Sequence, residues 1–159
     1  MLPFLLKFCP FEDPNARGMF YNLSIESGKS EMIRAVVEGV CMHMRWMLET
    51  HEKKTKTSEV IRFVGGGALN DSTSQILADC LGRTVETVAN PQNVGAVGAA
   101  VVIAVGLGVI EGIENVGEFI TADKTFLPNK DNKPVYDKMF AAYKELHAAN
   151  KKVFKMLNG

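Results

Sequence analysis

Between Val64 and Asn70 the chain runs Val-Gly-Gly-Gly-Ala-Leu-Asn, directly after the apolar run Val60-Ile-Arg-Phe-Val64. Glycine lacks the Cβ that holds a backbone away from its neighbours, and it adopts positive φ at little steric cost. Open α/β sheets bind their ligands outside the carboxyl ends of such strands. A tight turn that packs a helix on its sheet explains one or two of the glycines well, and a third less comfortably. Asn70 adds an amide that can donate to or accept from a purine or a ribose. Read as a dinucleotide fingerprint, Gly65 and Gly67 fall in place, Asn70 occupies the third glycine position, and Glu86 stands at a plausible distance for a ribose contact. Against that reading, Ser72 with Gln75 three residues later is a capping box. It predicts a helix over 73–81, too late for a fold whose helix begins within the glycines. A mononucleotide site of another architecture fits better.

Other groups are weaker candidates. Ser27-Gly-Lys-Ser30 contains the Gly-Lys-Ser of a phosphate loop, but the glycine that motif needs five residues before Gly28 is Leu23. Ser27 or Gly28 is better read as a helix cap. Cys9, Cys41 and Cys80 are odd in number, widely spaced and without a CxxC pair, which argues against a disulfide framework or a zinc cluster and for a reducing cytosol. His43, His51 and His147 show no metal-ligand spacing. Asp71 and Asp79 are tempting bases, with Asp79 expected on a helix face.

The elements that position the glycines follow from periodicity and punctuation. Residues 1 to 16 read as irregular, with Pro3, Pro10 and a turn at Asp13-Pro14-Asn15. Gly18-Met-Phe-Tyr-Asn22 is a candidate short strand. From Ser27 a helix is predicted, because Ile33, Val36, Val37, Val40, Met44, Met47 and Leu48 repeat at helical spacing. Strands are predicted at 60–64 and 84–88, with Gly82 ending the helix between them. Val94 to Ile110 is an uncharged run of seventeen residues. That is the lower limit for a membrane span. Its glycines and alanines, and the absence of aromatic or basic anchors, favour a buried core helix. A last helix is predicted over 135–157, with Met139, Tyr143, Leu146, Val153 and Met156 as its apolar positions. Strand-helix-strand-helix makes an α/β unit, read as parallel.

The length of 159 residues suits one ordinary domain or two small ones. With 47% hydrophobic and 23% charged residues, the composition excludes disorder and collagen-like structure. Eighteen basic residues balance eighteen acidic ones, which leaves no electrostatic reason to expect nucleic acid or an anionic membrane as partner.

Phe63-Val-Gly-Gly-Gly-Ala-Leu-Asn70, then Ser74-Gln-Ile-Leu-Ala-Asp79 and Leu81-Gly82, resembles the adenosine motif of FGGY-family carbohydrate kinases. Asn93-Val-Gly-Ala-Val-Gly-Ala-Ala100 with Ala104-Val-Gly106 is similar to that family's next helix. Gly18-Met-Phe-Tyr-Asn-Leu23 and Glu31-Met-Ile-Arg-Ala-Val-Val-Glu38 are similar to its second signature, except that Asn22 stands where glycine is usual. Cys9-Pro-Phe-Glu-Asp-Pro-Asn-Ala-Arg-Gly18 looks most like the xylulokinase-like members. The resemblance covers nearly the whole chain, in family order.

The implied fold class is α/β, a partial actin-like (ribonuclease-H-like) ATPase lobe with a mixed sheet flanked by helices. Residues 1–159 would be a single partial domain, the C-terminal nucleotide-binding lobe. The N-terminal catalytic and sugar lobe is absent, and Met1 reads as an artificial start. By motif match, Gly66, Gly67 and Asn70 line the adenosine site, while Gly65 and Ala68 support the turn. The family's aspartate base lies upstream of anything present, so no catalytic residue is expected and the fragment alone is expected to be inactive. The intact enzyme would be a cytoplasmic kinase that moves the γ-phosphoryl of MgATP to a ketopentose hydroxyl, that of xylulose. Its cofactors would be ATP and Mg2+, and its sugar would be held through the missing lobe. Apolar surface left uncovered predicts self-association as a homo-oligomer. A dinucleotide-binding oxidoreductase module and a non-catalytic actin-like lobe are the alternatives.

Overall fold

The computed structural model describes residues 13–159, the side chains of Asn115 and Glu118 excepted. The readings that involve Pro3, Cys9 and Pro10 lie outside those residues. Among the described residues, seven regular elements follow in order: α1 (Lys29–Glu52), β1 (Val60–Arg62), α2 (Asp71–Leu81), β2 (Thr84–Val88), α3 (Val94–Gly106), β3 (Ala122–Phe126) and α4 (Lys133–Asn158). They fall into two compact units. One holds residues up to Thr57, Asp79–Gly82 and Asn129–Gly159, and the other holds Ser58–Ala78 and Arg83–Pro128.

The second unit is built on a three-stranded sheet in the order β1-β2-β3. β1 and β2 are parallel, pairing Val60 with Thr84, Ile61 with Val85 and Arg62 with Glu86. β3 runs antiparallel to β2, pairing Val85 with Phe126 and Glu86 with Thr125. The sheet is therefore mixed. β3 was not legible as a strand because Ala122 to Thr125 are all exposed and show no apolar alternation. Phe63, Ala68, Leu77, Ala78, Val85, Val88 and Val101 form the apolar interior of this unit. Gly82, at φ +67°, ends α2 as expected.

α3 departs from the sequence expectation. Val101 is its one buried residue, while Val102 and Ile103 are 58% and 62% exposed. Its composition asks for cover on all sides, and the described residues cover one. Among the described residues no helix is long and apolar enough to cross a membrane.

The first unit contains the two long helices. The candidate strand at 18–22 is not formed; a lone bridge at Met19 stands there, and Asn22 adopts φ +61°. That left-handed backbone is why glycine suits the position and why asparagine is tolerated. The turn at Asp13-Pro14-Asn15 is present, with the Asn15 amide donating to Asp13 Oδ1 (3.0 Å). α1 starts at Lys29 with Gly28 as its cap, two residues later than expected.

α4 buries Tyr136, Phe140, Tyr143, His147 and Phe154, a clean three-four spacing. Of the apolar positions expected from the sequence, Tyr143 lies on that stripe, whereas Val153 and Met156 are exposed. Polar ties join the two helices at their edges. Arg45 donates to Asp137 Oδ1 (2.7 Å) and to the Cys80 carbonyl (3.0 Å), and Tyr136 donates to Glu38 Oε1 (3.1 Å). Trp46 stacks edge-on against Tyr143 and His147.

His147 carries a pH dependence. It is buried, with Nε2 3.5 Å from Asp13 Oδ2. Burial holds its imidazole below the usual histidine range, and the Asp13 carboxylate only partly opposes this. The native state therefore binds fewer protons at this residue than the unfolded chain does. Stability from this source is complete above about pH 6.5 and is lost as pH falls from there through the depressed native value. Urea unfolding at pH 7.5 and 5.5 is expected to show a larger acid loss in the parent than in His147→Gln. Equal losses would show that His147 is not the group responsible.

Candidate functional site

Two of the three glycines of the turn meet distinct local demands. Gly65 sits at φ +91°, ψ −176°, a region essentially reserved for glycine. Its amide donates to the Pro91 carbonyl (2.8 Å), which ties the end of β1 to the end of β2. A Cβ on Gly67 would come within 2.9 Å of the Phe63 ring, and that ring is buried. Gly66 meets neither demand. Its φ is not positive, it is exposed, and a Cβ there would meet no atom within 4 Å. Nothing among the described residues accounts for glycine at residue 66.

After the turn, Gly66–Leu69 forms one 3-10 turn, with the Ala68 amide donating to the Gly65 carbonyl (3.1 Å). Ala68 is buried within it. α2 then begins at Asp71, two residues before the expected start, because Asn70 is its cap. The Thr73 amide donates to Asn70 Oδ1 (3.1 Å), and the Ser74 amide donates to the Asn70 carbonyl (3.1 Å). The expected capping box at Ser72 and Gln75 is not used. Gln75 donates instead to the Leu127 carbonyl (2.8 Å). The Asn70 amide oxygen thus caps the helix with one of its two acceptor positions.

The turn borders a cleft of about 260 Å³ at the carboxyl ends of β1 and β2. Ala68 and Leu69 of the turn line it, whereas Gly65, Gly66, Gly67 and Asn70 do not. Its polar wall comes from Asp71, Thr87, Asn90, Gln92, Asp123 and Lys124. Of these only Asp71 stood out in the sequence. Lys124 is separated from Asp71 by 53 positions and sits on a strand with no strand signature.

The remaining sequence candidates have structural roles. Glu86 lies in the middle of β2, 3.7 Å from Arg62, and not at the end of the strand where a ribose would be reached. With α2 beginning after the glycines rather than within them, the dinucleotide reading keeps only Gly65 and Gly67. Asp79 is buried and accepts from the Asn129 amide and from Asn132 Nδ2, both at 2.8 Å. It is a structural staple. Cys41 and Cys80 are free and buried, and burial pushes both thiols up to about 12, far from the range of a nucleophile or metal ligand. Among the described residues no group of three or more His, Cys, Asp or Glu side chains is gathered for a metal. Ser27 and Gly28 belong to the approach to α1, where Ser27 Oγ accepts from the Ser24 amide.

The three glycines are expected to separate on substitution. Gly65→Ala is expected to lose about 1–3 kcal/mol of stability through backbone strain. Gly67→Ala is expected to lose about 1–3 kcal/mol through overpacking against Phe63. Gly66→Ala is expected to stay within about 0.5 kcal/mol of the parent. Denaturant melts of the three variants check this, and a large loss at Gly66 would show that the fold requires that glycine after all.

Comparison with known proteins sets this geometry in a family. Residues 3–107 match the FGGY family of carbohydrate kinases, C-terminal domain. The xylulose kinase of Bacillus subtilis is 29% identical over 143 residues, covering 89% of this chain and 28% of that protein. Among solved structures, a ligand-bound xylulose kinase from Lactobacillus acidophilus superposes with a TM-score of 0.82 at 30% identity, covering 94% of this chain and 30% of that one. A gluconate kinase from the same organism superposes with a TM-score of 0.78 at 29% identity, covering 90% and 29%. This chain thus spans under a third of the length of the relatives it matches.

Proposed function

The chain belongs to the FGGY family of carbohydrate kinases, and from that premise we propose that it supplies the adenosine-binding side of an ATP-dependent sugar kinase. Gly66 carries this reading: it is an exposed glycine that neither backbone strain nor packing requires, at the carboxyl end of a parallel strand. Gly66 and Gly67 offer backbone that a flat nucleoside can approach closely, Asn70 offers its amide hydrogens, and Gly65 and Ala68 hold the turn in shape.

The intact enzyme would transfer the γ-phosphoryl of MgATP to a sugar hydroxyl, with xylulose as the acceptor suggested by the names of its relatives. Relatives of the same family also include gluconate and glycerol kinases, so the choice of sugar is not written in the part they share with this chain. Phosphoryl transfer is governed by positioning and charge stabilisation. This chain's part is positioning. No residue here is assigned to the proton transfer or to Mg2+, which would arrive with the phosphates. The cytoplasm is the proposed compartment, and the uncovered apolar residues of α3 favour self-association of the chain in isolation.

Thermal unfolding with MgADP, MgATP, GTP and NAD in parallel tests the reading. A ligand at about 100 times its Kd adds about 2.7 kcal/mol to stability. The adenine mononucleotides are expected to raise the melting temperature, NAD and GTP are not, and Gly66→Ala is expected to abolish the shift while melting like the parent. A shift with NAD alone, or a full ADP shift in Gly66→Ala, would overturn it.

A further inference from the structure

The cleft beside the glycine turn holds side chains that the turn itself does not use. Asp71 is the first residue of α2, and Lys124 on β3 donates from Nζ to both its Oδ1 and Oδ2, each at 2.9 Å. The two side chains are 59% and 52% exposed, so solvent screens the pair and the fold gains little from it. A carboxylate has about four acceptor positions. Lys124 occupies one on each oxygen and leaves the other on each for a ligand. The lysine thus orients the carboxylate without using it up.

The charge of the cleft narrows what it can hold. Asp71 and Asp123 set two carboxylates against one ammonium in its wall, and the amides of Asn90 and Gln92 add no charge. A phosphate is repelled by that balance, and a neutral group that donates hydrogen bonds is favoured. The volume, about 260 Å³, is below the roughly 300–1,000 Å³ of pockets that enclose a whole ligand, so the cleft holds part of one. At its edge Asn90 is held in the left-handed region, φ 52° and ψ 55°. Non-glycine residues kept in that conformation gather at ligand sites.

We propose that Asp71, oriented by Lys124, is the specificity-determining acceptor of this cleft and reads a neutral hydrogen-bond donor on the nucleoside, a ribose hydroxyl or the amino group of the base. The inference rests on the adenosine-side reading and adds to it the group that distinguishes one nucleotide from another. Asp71 touches the ligand, and Lys124 is a positioning residue.

Calorimetric titration of the chain with ADP, 2′-deoxy-ADP and inosine diphosphate tests it, in the parent and in Asp71→Ala, Lys124→Met and Lys124→Arg. The parent is expected to bind ADP about ten- to a hundredfold more tightly than one of the two analogues, the loss of a hydrogen bond to a charged group. Asp71→Ala is expected to bind ADP and that analogue alike. Lys124→Met is expected to lose part of the preference, and Lys124→Arg to restore it, because a guanidinium can also hold both oxygens. Discrimination against 2′-deoxy-ADP identifies the ribose as the group read, and discrimination against inosine diphosphate identifies the base. A preference that survives Asp71→Ala, or two analogues that match ADP in the parent, overturns the inference and leaves the adenosine-side reading standing. No binding of any nucleotide by the parent overturns that reading and this inference with it. Should Asp71→Ala melt well below the parent, the Lys124→Met and Lys124→Arg pair decides, since both lie on an exposed strand face.

Discussion

The hydrogen bond from the Gly65 amide to the Pro91 carbonyl links the chain just past β1 to the chain just past β2. A backbone bond of this kind is worth only about 1 kcal/mol net, but leaving a buried partner unmet costs about 1–3 kcal/mol, and Pro91 is buried. To make it, residue 65 must take φ +91°, which a side chain would oppose. Once it is made, the 3-10 turn over Gly66–Leu69 follows, then Asn70 as the cap of α2, and the cleft between the two strand ends. Both the proposed backbone surface for adenosine and the side-chain wall beside it descend from that one constraint.

Much of this was legible in the sequence, and the failures have physical causes. β2 was placed to the residue, because Val85, Thr87 and Val88 are buried between turn signals. The turn was found from its glycines. The capping box at Ser72 marks a start two residues late, because pattern alone cannot tell that the preceding turn delivers Asn70 to the helix as its cap. β3 went unread because an edge strand with its first four residues exposed carries no periodicity. α3 was read as a core helix because composition reports how much cover a helix needs. What provides that cover is a matter of tertiary structure, and within the described residues only Val101 is buried.

In the unit of the long helices, polar and reactive groups that invite functional readings serve structure. Asp79 accepts two hydrogen bonds from the segment leading into α4. The two thiols are held protonated by burial. Arg45 is shared between Asp137 and the Cys80 carbonyl, with its guanidinium 4.4 Å from the centre of the Phe140 ring. The ties from Arg45 to Asp137 and from Tyr136 to Glu38 join α1 to α4, which makes their packing specific rather than merely apolar.

A recognition surface made of backbone and one made of side chains leave different traces in a sequence. The glycine turn must be local, because positive φ and the missing Cβ are properties of single residues, so three adjacent letters are enough to betray it. Such a surface would approach any flat nucleoside equally well and could not tell one from another. Discrimination needs a side chain with a defined charge and orientation, and orientation needs a second residue. Here that second residue, Lys124, comes from an edge strand 53 positions away. On the proposed reading, the glycine turn is therefore the less selective part of the site. The part proposed to choose among nucleotides becomes visible only when the sheet brings β3 alongside β2 and sets Lys124 against the first residue of α2.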